Sequence, residues 1–210
     1  MKTIALFLHQ PKCSVQSVNG IIRALGRNYR FKIFTKHELE DDFFDDVDCI
    51  AVPGGVGDSD SFDYLMRNNG QHIRNFVAAG GHYLGICMGA YWADTDYLGL
   101  LDSVRVKQYI KHPTACTRRP HAKQMPVTWN GQRLGMYFYD GCTFDGYKFN
   151  TISQYYNSAP MAIVQNRIGL IGCHLEADQH WYNDYSWMRK HWNGGNHKLL
   201  LEFVDQLMSR

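Results

Sequence analysis

Along the first hundred residues, short apolar runs alternate with stretches whose apolar residues recur every three or four positions. The runs Ile4–Leu8, Phe31–Phe34, Cys49–Val52 and Tyr83–Ile86 each predict a buried strand. Between them, Val15, Val18, Ile22 and Leu25 keep helical spacing up to Gly26, after a turn predicted at Pro-Lys-Cys-Ser. An acidic loop, Glu40–Asp48, leads into the third run, which Pro53-Gly54-Gly55 stops. Leu65, Ile73, Phe76 and Val77 predict a helix from about Phe62 to Ala79, with Asn68-Asn69-Gly70 as an interruption inside it. Gly80-Gly81 is a C-terminal stop, and Met88–Ala93 begins the next helix.

Strands that are apolar throughout and separated by amphipathic helices predict a parallel sheet covered on both faces. Ligands of such sheets gather at the carboxyl ends of the strands. Pro53-Gly54-Gly55 and Cys87 both fall at those ends.

The second half reads differently. Pro126–Leu134 contains Asn130-Gly131 between two alternating segments, a strong hairpin signal. Tyr137–Tyr139 is a further short strand candidate. Ala162–Val164 and Ile168–Cys173 predict a second hairpin around Gln165-Asn166-Arg167, and these antiparallel pieces are expected to extend the sheet at its edge. Leu200, Leu201, Val204 and Leu207 place a helix over His197–Met208. No internal repeat or linker divides the chain, so residues 1–210 are expected to form a single domain.

Composition narrows the function classes. With 45% hydrophobic and 20% charged residues and a net charge of +2, the chain has the balance of an ordinary globular protein. That charge gives no argument for a nucleic-acid or membrane partner. Six cysteines without a CxxC pair predict reduced thiols and no cysteine-only zinc site. Ile4–Leu8 is too short for a signal-peptide core, and no segment approaches the ~20 apolar residues that span a bilayer. A cytoplasmic location is the expectation.

Chemistry concentrates in Gly85-Ile86-Cys87-Met88-Gly89. A strand that turns directly into a helix crowds its backbone, and glycines two residues to either side of the apex relieve the crowding. A cysteine there also faces the helix N-terminus, which favours thiolate. The other reading is a small buried cysteine between two glycines that allow close packing. A thiolate nucleophile needs a base. His174-Leu175-Glu176 ends a predicted strand, where residues two apart share a side, so Glu176 can orient the imidazole of His174. An oxyanion hole would come from the amides of Met88 and Gly55.

In their order along the chain, Val52-Pro53-Gly54-Gly55, Gly80–Tyr91 and His174-Leu175-Glu176 resemble the class I glutamine amidotransferase superfamily. The long elbow Leu-Gly-Ile-Cys-Met-Gly-Ala-Tyr is most similar to the N-terminal domain of biotin-protein ligases and its stand-alone bacterial relatives. Tyr137–Phe144 is similar to that branch's aromatic-glycine segment. The resemblance implies a flavodoxin-like three-layer α/β fold, mostly parallel with an antiparallel edge extension. It implies Cys87 as nucleophile, His174 as base, Glu176 as its orienter, and Gly55 and Met88 as oxyanion donors. It further implies an amide-like small-molecule substrate, no cofactor, and a partner synthase or ligase subunit. Leu175 stands where amidotransferases usually carry proline. The chain lacks the adenylate loop of a biotin ligase, so it is not expected to biotinylate by itself.

Rival readings come from other classes. His174, Glu176, Asp178 and His180 alternate as metal ligands could. Basic residues between Arg105 and Lys123 suit a phosphate or a solvated loop. Trp181, Tyr182, Tyr185, Trp187 and Trp192 suit a pocket or ordinary packing. A non-catalytic binding or regulatory module is the alternative to an enzyme.

Overall fold

The computed structural model describes residues 1–10, 12–38, 41–56, 58–66 and 69–209. Pro11, Glu40 and Asn68, which belong to the predicted turn, acidic loop and helix interruption, lie outside the described residues. The first half follows its apolar pattern closely. Strands β1 (Thr3–Phe7), β2 (Arg30–Phe34), β3 (Cys49–Val52) and β4 (His82–Ile86) alternate with α1 (Lys12–Leu25), α2 (Ser59–Leu65) and α3 (Gly70–Ala78). The helical pattern expected from Phe62 to Ala79, with its interruption at Asn68-Asn69-Gly70, is two helices, the second beginning at Gly70. After β4 the chain turns straight into α4 (Met88–Trp92).

The second half supplies β5 (Val104–Gln108), β6 (Lys123–Trp129), β7 (Gln132–Phe138), β8 (Cys142–Gly146), β9 (Asn150–Tyr155), β10 (Pro160–Gln165) and β11 (Ile168–Ile171). Helices α5 (Gln179–Asn183) and α6 (Gly195–Met208) follow. The main sheet has the order β2-β1-β3-β4-β11-β10-β9-β6-β7, and β5 pairs with β8 in a separate ribbon. Strands β2, β1, β3, β4 and β11 run parallel, and the rest continue antiparallel from β10. The fold is therefore α/β, largely parallel with an antiparallel extension. The Asn130-Gly131 turn joins β6 to β7 with positive φ at both residues, 46° and 80°, as that hairpin type requires.

Alternate strand residues feed two cores. Leu84 and Ile86 pack with Val18 and Ile21 of α1 and with Leu200 and Val204 of α6. Tyr83 packs on the other face with Phe62, Ile73 and Trp92.

One pairing decides where the site forms. Strand β11 lies beside β4 in parallel register, Ile171 opposite Ile86, although it reaches that place through an antiparallel hairpin with β10. The carboxyl ends of β3, β4 and β11 therefore open on the same edge. The amide of Cys87 continues the ladder by donating to the carbonyl of Ile171 at 2.8 Å. Residues that follow β11 are delivered beside Cys87.

Candidate active site

The elbow is a backbone under compression. Cys87 has φ 48° and ψ −100°, a conformation that side chains rarely adopt and that is held only where its surroundings enforce it. The flanking glycines have no room for a side chain. A Cβ on Gly85 would lie 2.5 Å from the carbonyl oxygen of Gly89, and one on Gly89 would lie 2.1 Å from that of Val52. The Tyr83 hydroxyl donates to the carbonyl of Gly89 at 2.7 Å and ties the elbow to β4. Cys87 is 6% exposed, with its sulfur 4.0 Å from the carbonyl of Tyr139.

His174 and Glu176 meet, by a route that differs from the sequence expectation. Strand β11 stops at Ile171, and the segment after Cys173 turns instead of continuing extended. His174 makes one bridge to Tyr137 of β7, and Leu175-Glu176 form a turn closed by the Ala177 amide and the His174 carbonyl. That turn brings Glu176 back under the ring. His174 Nδ1 donates to Glu176 Oε1 at 2.8 Å, with both side chains buried. Burial alone would lower the His174 pKa. The carboxylate of Glu176 and the Cys87 sulfur beside the ring outweigh it and hold the imidazole well above its ordinary value.

Helix α1 adds groups that periodicity did not single out. Ser17 donates its hydroxyl to Glu176 Oε1 at 2.6 Å and accepts the Gly54 amide at 3.0 Å. One hydroxyl thus joins the loop after β3 to the carboxylate behind His174. One turn along the helix, Gly20 faces the same segment, and a Cβ there would sit 2.0 Å from the Glu176 carbonyl oxygen. Gly54 is pressed against the imidazole, since a Cβ on it would lie 2.6 Å from His174 Cε1.

The amides of Gly55 and Met88 have no hydrogen-bond partner among the described residues. Met88 opens α4, where the first N–H groups of a helix are free by construction. His9 stacks on Phe7 beneath Gly55. Its Nδ1 bonds the Gln10 carbonyl, while its buried Nε2 has no partner among the described residues, and burial lowers its pKa.

Two cavities meet at Cys87 and share Gly55, Val56 and Tyr139. The first, about 350 Å³, contains His174 and is walled by Tyr137, Trp181 and Tyr185, with Asp184 and Gln16 also lining it. The second, about 610 Å³, is lined by Tyr91, Gln108, Lys111 and Asp140, among others. Gln108 Nε2 donates to both Asp140 oxygens at 2.7 Å. Burial raises the Asp140 pKa, against the lowering effects of Gln108 and Lys111.

The rival constellations separate. Asp178 bonds Arg23 and lies 3.6 Å from His197, and among the described residues no group of three or more His, Cys, Asp or Glu side chains could hold a metal ion. In the basic segment, Arg105 pairs with Asp94 and Asp96, and Arg118 donates to the carbonyls of His112 and Pro113. Of the late aromatics, Trp181 and Tyr185 line the cavity with Cys87. Tyr182 is packing: it is buried and its hydroxyl accepts from Asn196. Among the described residues no helix is long and apolar enough to cross a membrane.

Solved structures that share this arrangement of elements include glutamine amidotransferases. One crystal structure of a glutamine amidotransferase is 17% identical and covers 99% of both chains with a TM-score of 0.69. Another, from Thermotoga maritima, is 14% identical with a TM-score of 0.70, covering 100% of this chain and 99% of that one. A chain of the PurLQS structure from Thermotoga maritima is 13% identical with a TM-score of 0.65, covering 98% and 99%. The fold is shared with these structures. Within it, residues 9–97 match the family described as biotin-protein ligase, N terminal, a stretch that includes Gly55 and Cys87 and ends before His174. No curated protein matches the sequence.

Proposed function

We propose that the chain is a cysteine-dependent hydrolase or acyltransferase acting on an amide carbonyl. The observation that carries this reading is the buried 2.8 Å contact of His174 Nδ1 with Glu176 Oε1, its imidazole lying beside Cys87 in one cavity. In this reading the Cys87 thiol gives its proton to His174, and the sulfur attacks the carbonyl carbon. The oxyanion is received by the amides of Gly55 and Met88, which have no partner among the described residues. Loss of one such donor typically costs about 10²–10³ in rate. The C–N bond then breaks, His174 passes the proton to the departing nitrogen, and a thioester remains on Cys87. Water, deprotonated by His174, cleaves the C–S bond and releases the acid. Glu176 fixes the tautomer and supports the imidazolium. The likeness to a PurLQS chain supports a partner synthase or ligase subunit.

Incubation with p-nitrophenyl acetate and intact-mass analysis test this. The expected result is one acetyl group on Cys87, absent in Cys87→Ala. A folded wild-type protein that never acylates would point to a binding or regulatory module.

A further inference from the structure

Resting on the catalytic reading of Cys87, the geometry points to the class of amide: one whose nitrogen carries an apolar, aromatic-sized substituent. His174 stands on one side of Cys87. The departing nitrogen must receive its proton from this imidazole, so it leaves on the side of Cys87 where His174 lies. His174 lines the 350 Å³ cavity and not the 610 Å³ one. The leaving amine therefore occupies the first cavity and the acyl portion the second.

Size and chemistry then distinguish a primary from a substituted amide. A water-sized molecule such as ammonia needs about 10–15 Å³ of cavity space, a small part of the 350 Å³ on the His174 side. The walls there are aromatic. Trp181 lies 5.3 Å from the His174 ring and 5.3 Å from Tyr137, both centroid to centroid, and Tyr185 closes the same wall. Such faces gain contact from an apolar or aromatic group and nothing comparable from ammonia. Asp184, exposed and lining the same cavity, suits the amine once it has left neutral and taken a second proton from solvent. The acyl cavity is mixed, with Gln108, Lys111 and Asp140 beside Met88, Tyr91 and Tyr97.

Microscopic reversibility gives a test that needs no natural substrate. The cavity that releases an amine also admits one. An amine attacks the thioester carbon, the C–S bond breaks, a C–N bond forms, and His174 takes the proton from the nitrogen as sulfur leaves as thiolate. The acetyl enzyme made from p-nitrophenyl acetate is treated with benzylamine or ammonia at equal free-base concentration, and loss of the acetyl mass and formation of the acetamide are followed. Benzylamine is expected to saturate and to exceed ammonia by about tenfold or more, beyond its intrinsic advantage toward a free thioester. Tyr185→Ala and the milder Trp181→Phe should each raise the half-saturating benzylamine concentration several-fold. Linear dependence on both amines, with the ratio seen for a free thioester and no effect of either variant, would overturn the inference while leaving the nucleophile in place. Failure of Cys87 to acetylate at all would overturn the catalytic reading, and this inference with it.

Discussion

Ser17 and Glu176, 159 positions apart, share one hydrogen bond of 2.6 Å, and that bond sets the geometry behind His174. Glu176 Oε1 accepts from Ser17 and from His174 together, while its buried Oε2 has no partner among the described residues. The same hydroxyl accepts from Gly54, whose loop presents Gly55. Base and oxyanion loop are thus referred to one side chain on α1.

Removing that hydroxyl should disturb both. In Ser17→Ala the buried Gly54 amide loses its acceptor and Glu176 loses a donor, costing about 1–3 kcal/mol of stability. Cys87 acylation should slow by ten- to a hundredfold, of the order a displaced catalytic group produces. Denaturant melts and burst kinetics measure the two losses. An unchanged acylation rate would show that Ser17 supports the fold alone.

The His174–Glu176 pair should write a pH dependence into stability. His174 binds its proton more tightly folded than unfolded. Its contribution is therefore complete below about 6.5, the ordinary histidine value, and is lost as pH rises through the higher folded value. Glu176→Gln removes the negative charge that raises the folded value. The stability gap between wild type and variant should be widest near pH 6 and narrow as pH increases. Urea melts across the alkaline range follow it, and a gap that widens with pH would contradict the assigned proton.

Gly20 sets two effects against each other. Alanine in a helix interior is favoured over glycine by about 1 kcal/mol. A Cβ at Gly20, however, would approach the Glu176 carbonyl oxygen to 2.0 Å, and the neighbour there is backbone. Overpacking of this kind costs typically about 1–3 kcal/mol and shifts what it touches. Gly20→Ala should thus be neutral to destabilising by up to about 2 kcal/mol, despite the propensity gain, and should slow acylation by moving Glu176. A variant that is more stable and equally reactive would show that the α1 contact is soft.

What the sequence reveals depends on how local the physics is. The elbow is legible because the crowding that demands Gly85 and Gly89 arises within a few residues and the neighbouring strand end. His174 and Glu176 are legible as a pair, although a turn, and not an extended strand, joins them. Ser17 is not legible: an interior helix serine acquires its role only when a turn 159 residues later docks on α1. Gly20 carries a faint signal, since a glycine in the middle of an amphipathic helix lowers stability unless something packs against it. The strand Val104–Gln108 shows alternating apolar and polar residues, yet its arginine and lysine invite a reading by charge. Its partner β8 lies 34 or more residues on, beyond the reach of any local pattern.

Competition between Cys87 and Cys116 for iodoacetamide at pH 6 bears most directly on the central claim, that Cys87 is an activated nucleophile. Cys116 is an exposed free thiol, whereas Cys87 is buried at the junction of the two cavities. Exposure alone would favour Cys116; an imidazole beside the sulfur that can take up its proton would favour Cys87. Peptide mapping over time should find Cys87 alkylated first, by about tenfold or more, with that preference lost in Glu176→Gln. Equal labelling, or Cys116 ahead of Cys87, would contradict the account.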